Sequence, residues 1–226
     1  MNTDLLSDDE IIHAWFANAE PWTAAVRRGD IKSRRLVTDR AILDAVLSCS
    51  PQSVLDVGCG EGWLARALSA KGMEVIGVDV VPELVRHAKI AGGADFRVCS
   101  YEDIAAGKLD VAVDVAVCNF SLIGKECVDA LIAAATSLLN VGGAVIVQTL
   151  HPLIACGDQA YQDGWRAGSW AGFSDDFVRP APWYFRTLET WVRLLEKNGL
   201  RLKALHEPVH PNTGKPASIL FIASAI

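Results

Sequence analysis

Apolar positions along this chain keep two different rhythms. Up to residue 48 they recur at helical spacing, over 7–19 and again over 33–48. In the second stretch Leu36, Ile42, Leu43, Val46 and Leu47 fall on one face. Ser7-Asp8-Asp9-Glu10 offers a capping side chain with Glu three positions on, the box that starts a helix. Pro51 closes this region, because the residue before a proline prefers extended backbone. Beyond it, short β-branched runs alternate with amphipathic ones. Strands are predicted near 53–57, 74–79, 94–98, 112–118 and 141–149, and helices near 62–71, 82–91 and 124–139. Pro82 suits the first turn of its helix, where an N–H has no partner. A helix over 187–199 and two β-rich runs, 200–206 and 218–223, end the chain. Strand and helix in alternation predict a doubly wound parallel sheet.

One segment breaks the alternation. Residues 151–186 are far longer than an ordinary connection between strand and helix. They hold Tyr161, Trp165, Trp170, Phe173, Phe177, Trp183, Tyr184 and Phe185, nearly half of all the aromatic residues. The segment leaves the carboxyl edge of the sheet, where long loops build sites. It is expected to form a mobile cover, the alternative being an aromatic mini-core folded on itself.

The densest chemistry lies in Val54-Leu55-Asp56-Val57-Gly58-Cys59-Gly60-Glu61-Gly62, followed by the helical run Trp63–Leu68. A strand, a glycine turn and a helix N-terminus make a nucleotide-binding crevice. A dinucleotide fingerprint needs glycine at position 63, where Trp63 stands, and a phosphate loop needs Gly-Lys-Ser/Thr, which is absent. Asp56, just before the turn, suits a cationic ligand better than a diphosphate. Glu74–Asp79 is a second apolar strand ending in an acid. A carboxylate at such a strand end can grip a cis-diol with two charge-assisted hydrogen bonds. A helix cap or a solvated loop acid is the plainer reading of Asp79.

These residues resemble motif I and the second-strand acid of the class I S-adenosylmethionine-dependent methyltransferases. Asp114–Phe120 resembles that family's fourth strand and the residues just beyond it, and Leu138–Val147 its Gly-Gly turn and fifth strand. The resemblance covers roughly 52–150 and 187–226. It implies a mostly parallel seven-stranded sheet with an antiparallel last strand and helices on both faces. The implied organisation is an N-terminal helical cap, 1–51, and a cofactor-binding Rossmann-like domain, 52–226, with 151–186 inserted over the active site. The implied cofactor is S-adenosylmethionine, with S-adenosylhomocysteine as product. Asp56, Gly58, Cys59 and Gly60 would frame the methionine moiety, Asp79 would hold the ribose, and Val80 would lie against the adenine. Tyr101 and Glu102 would meet the adenine edge, while Asn119 and Phe120 line the methionine side. Trp22 and an arginine, Arg34 or Arg35, would close over the cofactor, since a guanidinium fork suits a carboxylate. His151, after the fifth strand, is the candidate general base. Its alternative is a hydrogen-bonded structural role. His206 and His210 would touch the site or shape a turn. No metal constellation is evident.

Net charge narrows the partners. At -6, with 21 basic and 27 acidic residues, the chain offers no overall footprint for nucleic acid or anionic membrane. The basic cluster of Arg27, Arg28, Lys32, Arg34, Arg35 and Arg40 reads as a solvated helical face. The six cysteines include no C-x-x-C pair and read as small buried hydrophobes in a reducing compartment. Met1–Asp4 is acidic, without the apolar core of a signal peptide, so a cytoplasmic protein, monomer or homodimer, is expected. The expected function is O- or N-methylation of an aromatic or apolar small molecule. A tRNA or protein methyltransferase, or a non-catalytic cofactor-binding regulator of the same fold, are the alternatives.

Overall fold

The computed structural model describes residues 6–226, so the Met1–Asp4 stretch lies outside the described residues. Helix α1 (Asp8–Arg28) is followed by a π-helical turn, Arg34–Thr38, and α2 (Asp39–Ser48). Then come β1 (Ser53–Val57), α3 (Trp63–Ser69), β2 (Glu74–Asp79), α4 (Pro82–Ala91), β3 (Asp95–Val98), α5 (Tyr101–Ala105) and β4 (Val113–Asn119). They are followed by α6 (Glu126–Ala134), a 3-10 turn (Ala135–Leu138), β5 (Leu139–Thr149) and α7 (Pro152–Ala155). A small hairpin of β6 (Gly164–Arg166) and β7 (Trp183–Phe185) precedes α8 (Leu188–Lys197), β8 (Leu200–His206) and β9 (Ile219–Ala225).

Seven strands form one sheet in the order β3-β2-β1-β4-β5-β9-β8. β1 to β5 run parallel, and β9 pairs antiparallel with both β5 and β8. This is the doubly wound fold expected. Alternate residues of the central strands supply two cores. Leu55, Val57, Ala116, Cys118, Val145 and Val147 pack with α6 and α8, while Val54, Val115, Val117 and Ile146 pack with α2, α3 and α4. Strands buried on both faces read as continuous apolar runs, which explains why they were legible. The strand order reverses between β1 and β4, and the loops leaving their carboxyl ends part there, opening the crevice.

Several elements differ from expectation. Helix α1 continues through Pro21 to Arg28 and ends at Gly29 in the left-handed region, φ 70°. Its buried Ala14, Ala19, Thr23 and Ala25 show why: packing outweighs the proline's local preference. The helix expected over 33–48 is a π turn leading into α2. The helix expected over 124–139 stops at Ala134 and tightens into the 3-10 turn. Residues 101–105, to which the sequence pattern assigns no element, form α5, with Ser100 Oγ accepting from Asp103 N at 3.1 Å.

Candidate active site

Gly58 opens the turn after β1 with φ 74°, and a Cβ there would stand 2.3 Å from Ser121 Cβ. Gly62 closes it with φ 84°, facing the Phe96 ring 2.6 Å from where its Cβ would be. The close packing that Trp63 cannot provide therefore falls to Gly62, whose backbone also caps α3. The amides of Gly58 and Cys59 donate to Val78 O, tying the turn to β2. Asp79 tightens it further: one carboxylate oxygen accepts from Gly60 N and the other from Val81 N, each at 2.9 Å. Each oxygen keeps a second lone pair, so the carboxylate retains accepting capacity.

Asp56 is buried among these groups, and its Oδ2 has no hydrogen-bond partner. Burial first, and then the charge of Asp79, push its carboxyl up to about 7. Asp79 is raised as well, by burial, against which its backbone N–H partners act. Two adjacent buried acids, one with an orphaned oxygen, make a crevice that favours a positively charged group.

The rim of the turn comes from distant elements. Trp22 Nε1 lies 3.7 Å from a Cβ built on Gly60, and Trp22 meets Trp15 edge-on at 5.1 Å. Val80 packs in the same small cluster, with Ala19, Val81 and Leu84. Arg34 is half-buried, stacks on the Trp63 indole at 4.7 Å and holds Asp39 at 3.0 Å. Arg35 is exposed and lies over Gly29, so the structure brings Arg34, not Arg35, to the turn. Glu61 escaped the sequence reading. It is buried, takes Arg66 on both oxygens at 2.8 Å and Arg27 at 3.0 Å, and so fixes the turn to α1 and α3.

Across the crevice, Tyr101 donates its hydroxyl to Ser121 O (3.1 Å), and Ser121 Oγ donates to Val57 O (2.7 Å). Burial pushes the Tyr101 phenol well up. Glu102 is exposed in the first turn of α5. Asn119 Oδ1 accepts from Gln148 Nε2 at 2.8 Å, and Phe120 stands at φ 54°, a region uncommon for a bulky residue. Gln148 Nε2 also donates to Thr38 O at the end of the π turn. A single buried polar residue thus ties β5 to β4 and to α2. Its signal was a glutamine directly after the apolar run Ala144–Val147.

His151 is buried, with Nε2 2.6 Å from Glu207 Oε1 and Nδ1 unpartnered. His210 shapes a turn by accepting from Asn212 N, and His206 is exposed at the end of β8.

Helix α1 crosses the carboxyl edge of the sheet. Its first turn is fixed where Asp8 accepts from Lys125 N and Cys127 N, at 2.7 and 2.8 Å, capping α6. Its last turns reach α4, where Glu20 meets His87 Nε2 at 2.7 Å and Arg27 donates to His87 O. Glu20, Glu83 and His87 bring three possible metal-ligand atoms within 4.8 Å of one another, which the sequence did not suggest. The long segment after β5 docks on this helix. Asn18 Nδ2 donates to Val178 O (2.6 Å), and its Oδ1 accepts from Val178 N (2.8 Å). Trp170 meets Trp15 at 5.8 Å, and Phe173 meets Trp22 at 6.4 Å. The aromatics both pack on one another and cover α1.

A crevice at the strand-order reversal, a cradle of positive-φ glycines and a strand-end acid define a nucleoside-binding α/β protein. The profile of a family described as a methyltransferase domain matches residues 33–205, and the chain belongs to the class I S-adenosylmethionine-dependent methyltransferases. Among its relatives is a ubiquinone biosynthesis O-methyltransferase of Xylella fastidiosa, 34% identical over 114 residues. That match covers 48% of this chain and 46% of the relative. The corresponding Xanthomonas oryzae enzyme is 35% identical, with 48% and 47% covered. The chain spans about half the length of the curated relatives it matches. Magnesium protoporphyrin IX methyltransferase from Synechocystis, solved with S-adenosylhomocysteine, shares the fold at TM-score 0.66. It is 20% identical, covering 97% of this chain and 100% of that one. A methyltransferase from Mesorhizobium loti superposes at TM-score 0.62 and 20% identity, with 80% and 96% covered. Among the described residues no helix is long and apolar enough to cross a membrane.

Proposed function

We propose that the chain transfers a methyl group from S-adenosylmethionine to an oxygen of a small aromatic or apolar acceptor. The observation that carries this is the acid pair under the glycine turn. Asp79 retains lone pairs at the crevice, and Asp56 has a buried oxygen that no protein group satisfies. The cofactor supplies an electrophilic methyl on a sulfonium. Asp79 holds the ribose diol, and Val80 supports the adenine face. The Tyr101 backbone or Glu102 takes the adenine edge. Gly58, Cys59 and Gly60 give backbone approach along the methionine chain, beside Asp56. Asn119 and Phe120 line its other side. Arg34 faces the carboxylate end, and Trp22 closes over it. The described part of the helical cap, residues 6–51, and the 151–186 segment exclude water and shape the acceptor space. With the acceptor so enclosed, the protein mainly orients it. His151 is the proton acceptor.

Oxygen is preferred to nitrogen because the Xylella and Xanthomonas relatives are O-methyltransferases. The acidic balance and the enclosing aromatics favour a small, poorly charged acceptor over tRNA or protein. The protein works in the cytoplasm as a monomer or homodimer. Calorimetry tests the cofactor: S-adenosylmethionine and S-adenosylhomocysteine should bind and NAD should not. Methyl-labelled cofactor incubated with a metabolite extract, bulk tRNA or bulk protein should label the metabolites. Label in either polymer, or none anywhere despite cofactor binding, would overturn the assignment in favour of a macromolecular or a regulatory role.

A further inference from the structure

His151 lies two residues beyond β5, at the N-cap position of the short helix α7. It is 4% exposed, while Glu207, reaching in from the connection after β8, is half-exposed. Their contact at 2.6 Å joins residues 56 apart in sequence, so the fold itself brings the pair together. An ionised carboxylate only accepts, so Nε2 must carry the hydrogen. In the neutral ring the bare lone pair then falls on Nδ1. That atom is buried with no partner. A purely structural histidine in this place would leave an acceptor unsatisfied, which folded proteins seldom tolerate without a functional reason. An imidazole and a carboxylate that fixes its tautomer are thus both present, with one ring nitrogen that no protein group claims.

We propose that Glu207 is a positioning residue for His151. It holds the tautomer in which Nδ1 receives a proton, and the acceptor accordingly presents a hydroxyl rather than a carboxylate. This rests on the methyltransferase reading. In the step, the acceptor O–H bond breaks and its proton passes to Nδ1. An oxygen electron pair forms the new O–CH3 bond. The pair of the former S–CH3 bond returns to sulfur, leaving a neutral thioether. The imidazolium so formed stays bonded to Glu207. An acceptor already ionised would have no use for the arrangement.

The ring nitrogens report the tautomer without any acceptor. In 15N-labelled protein, with His151 assigned by its loss in His151→Asn, the neutral ring should show protonated Nε2 and bare Nδ1. Glu207→Leu should relax it towards a mixture of tautomers. A wild-type ring protonated at Nδ1 would overturn the proposal. Glu207 is exposed enough for this variant to fold, which a thermal melt checks. With extract acceptors and labelled cofactor, Glu207→Leu should lower the transfer rate roughly 10–100-fold, the usual scale for losing an orienting partner, while cofactor affinity holds. The labelled methyl should survive alkali, as ethers do. Label lost to alkali as methyl ester, or an unchanged rate in Glu207→Leu, would also overturn it. A wild type that labels nothing refutes the methyltransferase reading instead, and the nitrogen shifts still decide the tautomer.

Discussion

An alanine at position 62 would set its Cβ 2.6 Å from the Phe96 ring and 3.0 Å from Ala88 Cβ, at a φ of 84°. The left-handed backbone and the overpacking together should cost about 2–4 kcal/mol. Urea melts of Gly62→Ala would show it as a lower midpoint with an unchanged slope. Asp79→Ala removes the acceptor for Gly60 N and Val81 N and for any diol. Cofactor binding should weaken by about 1.5–3 kcal/mol, the range for hydrogen bonds to charged groups. An unchanged dissociation constant in calorimetry would take Asp79 out of the ribose site. These residues were legible because strand, turn and helix follow one another within a few positions. Glu61, Gln148 and Glu207 were not, since each is defined by partners far along the chain. Glu61 looked like one more acid in a turn until Arg27, 34 residues away, reached it.

Among the elements, the long periodic ones could be read and the short ones could not. Five residues, as in the π turn or α5, cannot display a helical period. The docking of the aromatic segment on α1 was equally hidden, because aromatic content says nothing about which surface it covers. Asn18 is the test of that docking. It is fully buried and bonded to the backbone of Val178 through both ends of its amide. Asn18→Ala leaves Val178 N without its acceptor, while Val178 O keeps the Trp170 indole N–H, and this should destabilise the contact by about 1–3 kcal/mol. Hydrogen exchange should rise over residues 168–182, and S-adenosylhomocysteine should restore protection. If exchange does not change, the Trp15, Trp22, Trp170 and Phe173 rings hold the segment unaided.

Over the whole molecule, two acids set opposite slopes of stability with pH. Asp114, bonded to Asn140 and to the amides of Gln52 and Ser53, is lowered from 3.8 to about 2. Its contribution is present above pH 4 and lost as pH falls towards 2. Asp56 is raised from 3.8 to about 7, so the folded state keeps a proton that the unfolded chain has released. Stability from this group therefore falls as pH climbs from about 4 to about 7, and is level beyond. The ligand-free protein should melt at a higher temperature at pH 5 than at pH 8. A cationic ligand beside Asp56 favours the ionised form. S-adenosylmethionine should thus bind with release of a proton near pH 6.5, seen as a calorimetric heat that depends on the buffer. A heat independent of buffer would place the cation elsewhere.

The two ends of α1 are fastened by different physics. At one end a carboxylate caps backbone amides. At the other, Glu20 is 74% exposed beside His87, and Arg27 is 42% exposed beside Glu61. Dissolved salt screens the half-exposed Arg27 side of its ion pair more than it weakens the carboxylate cap at Asp8. Any opening of α1 should therefore start at α4, the end that salt loosens, with Asp8 still holding the other. S-adenosylhomocysteine carries no net charge, so its approach is little affected by steering. Its association rate, followed by tryptophan fluorescence, should nonetheless rise with ionic strength. At low salt, departure of the spent cofactor, rather than methyl transfer, should then set the pace of turnover.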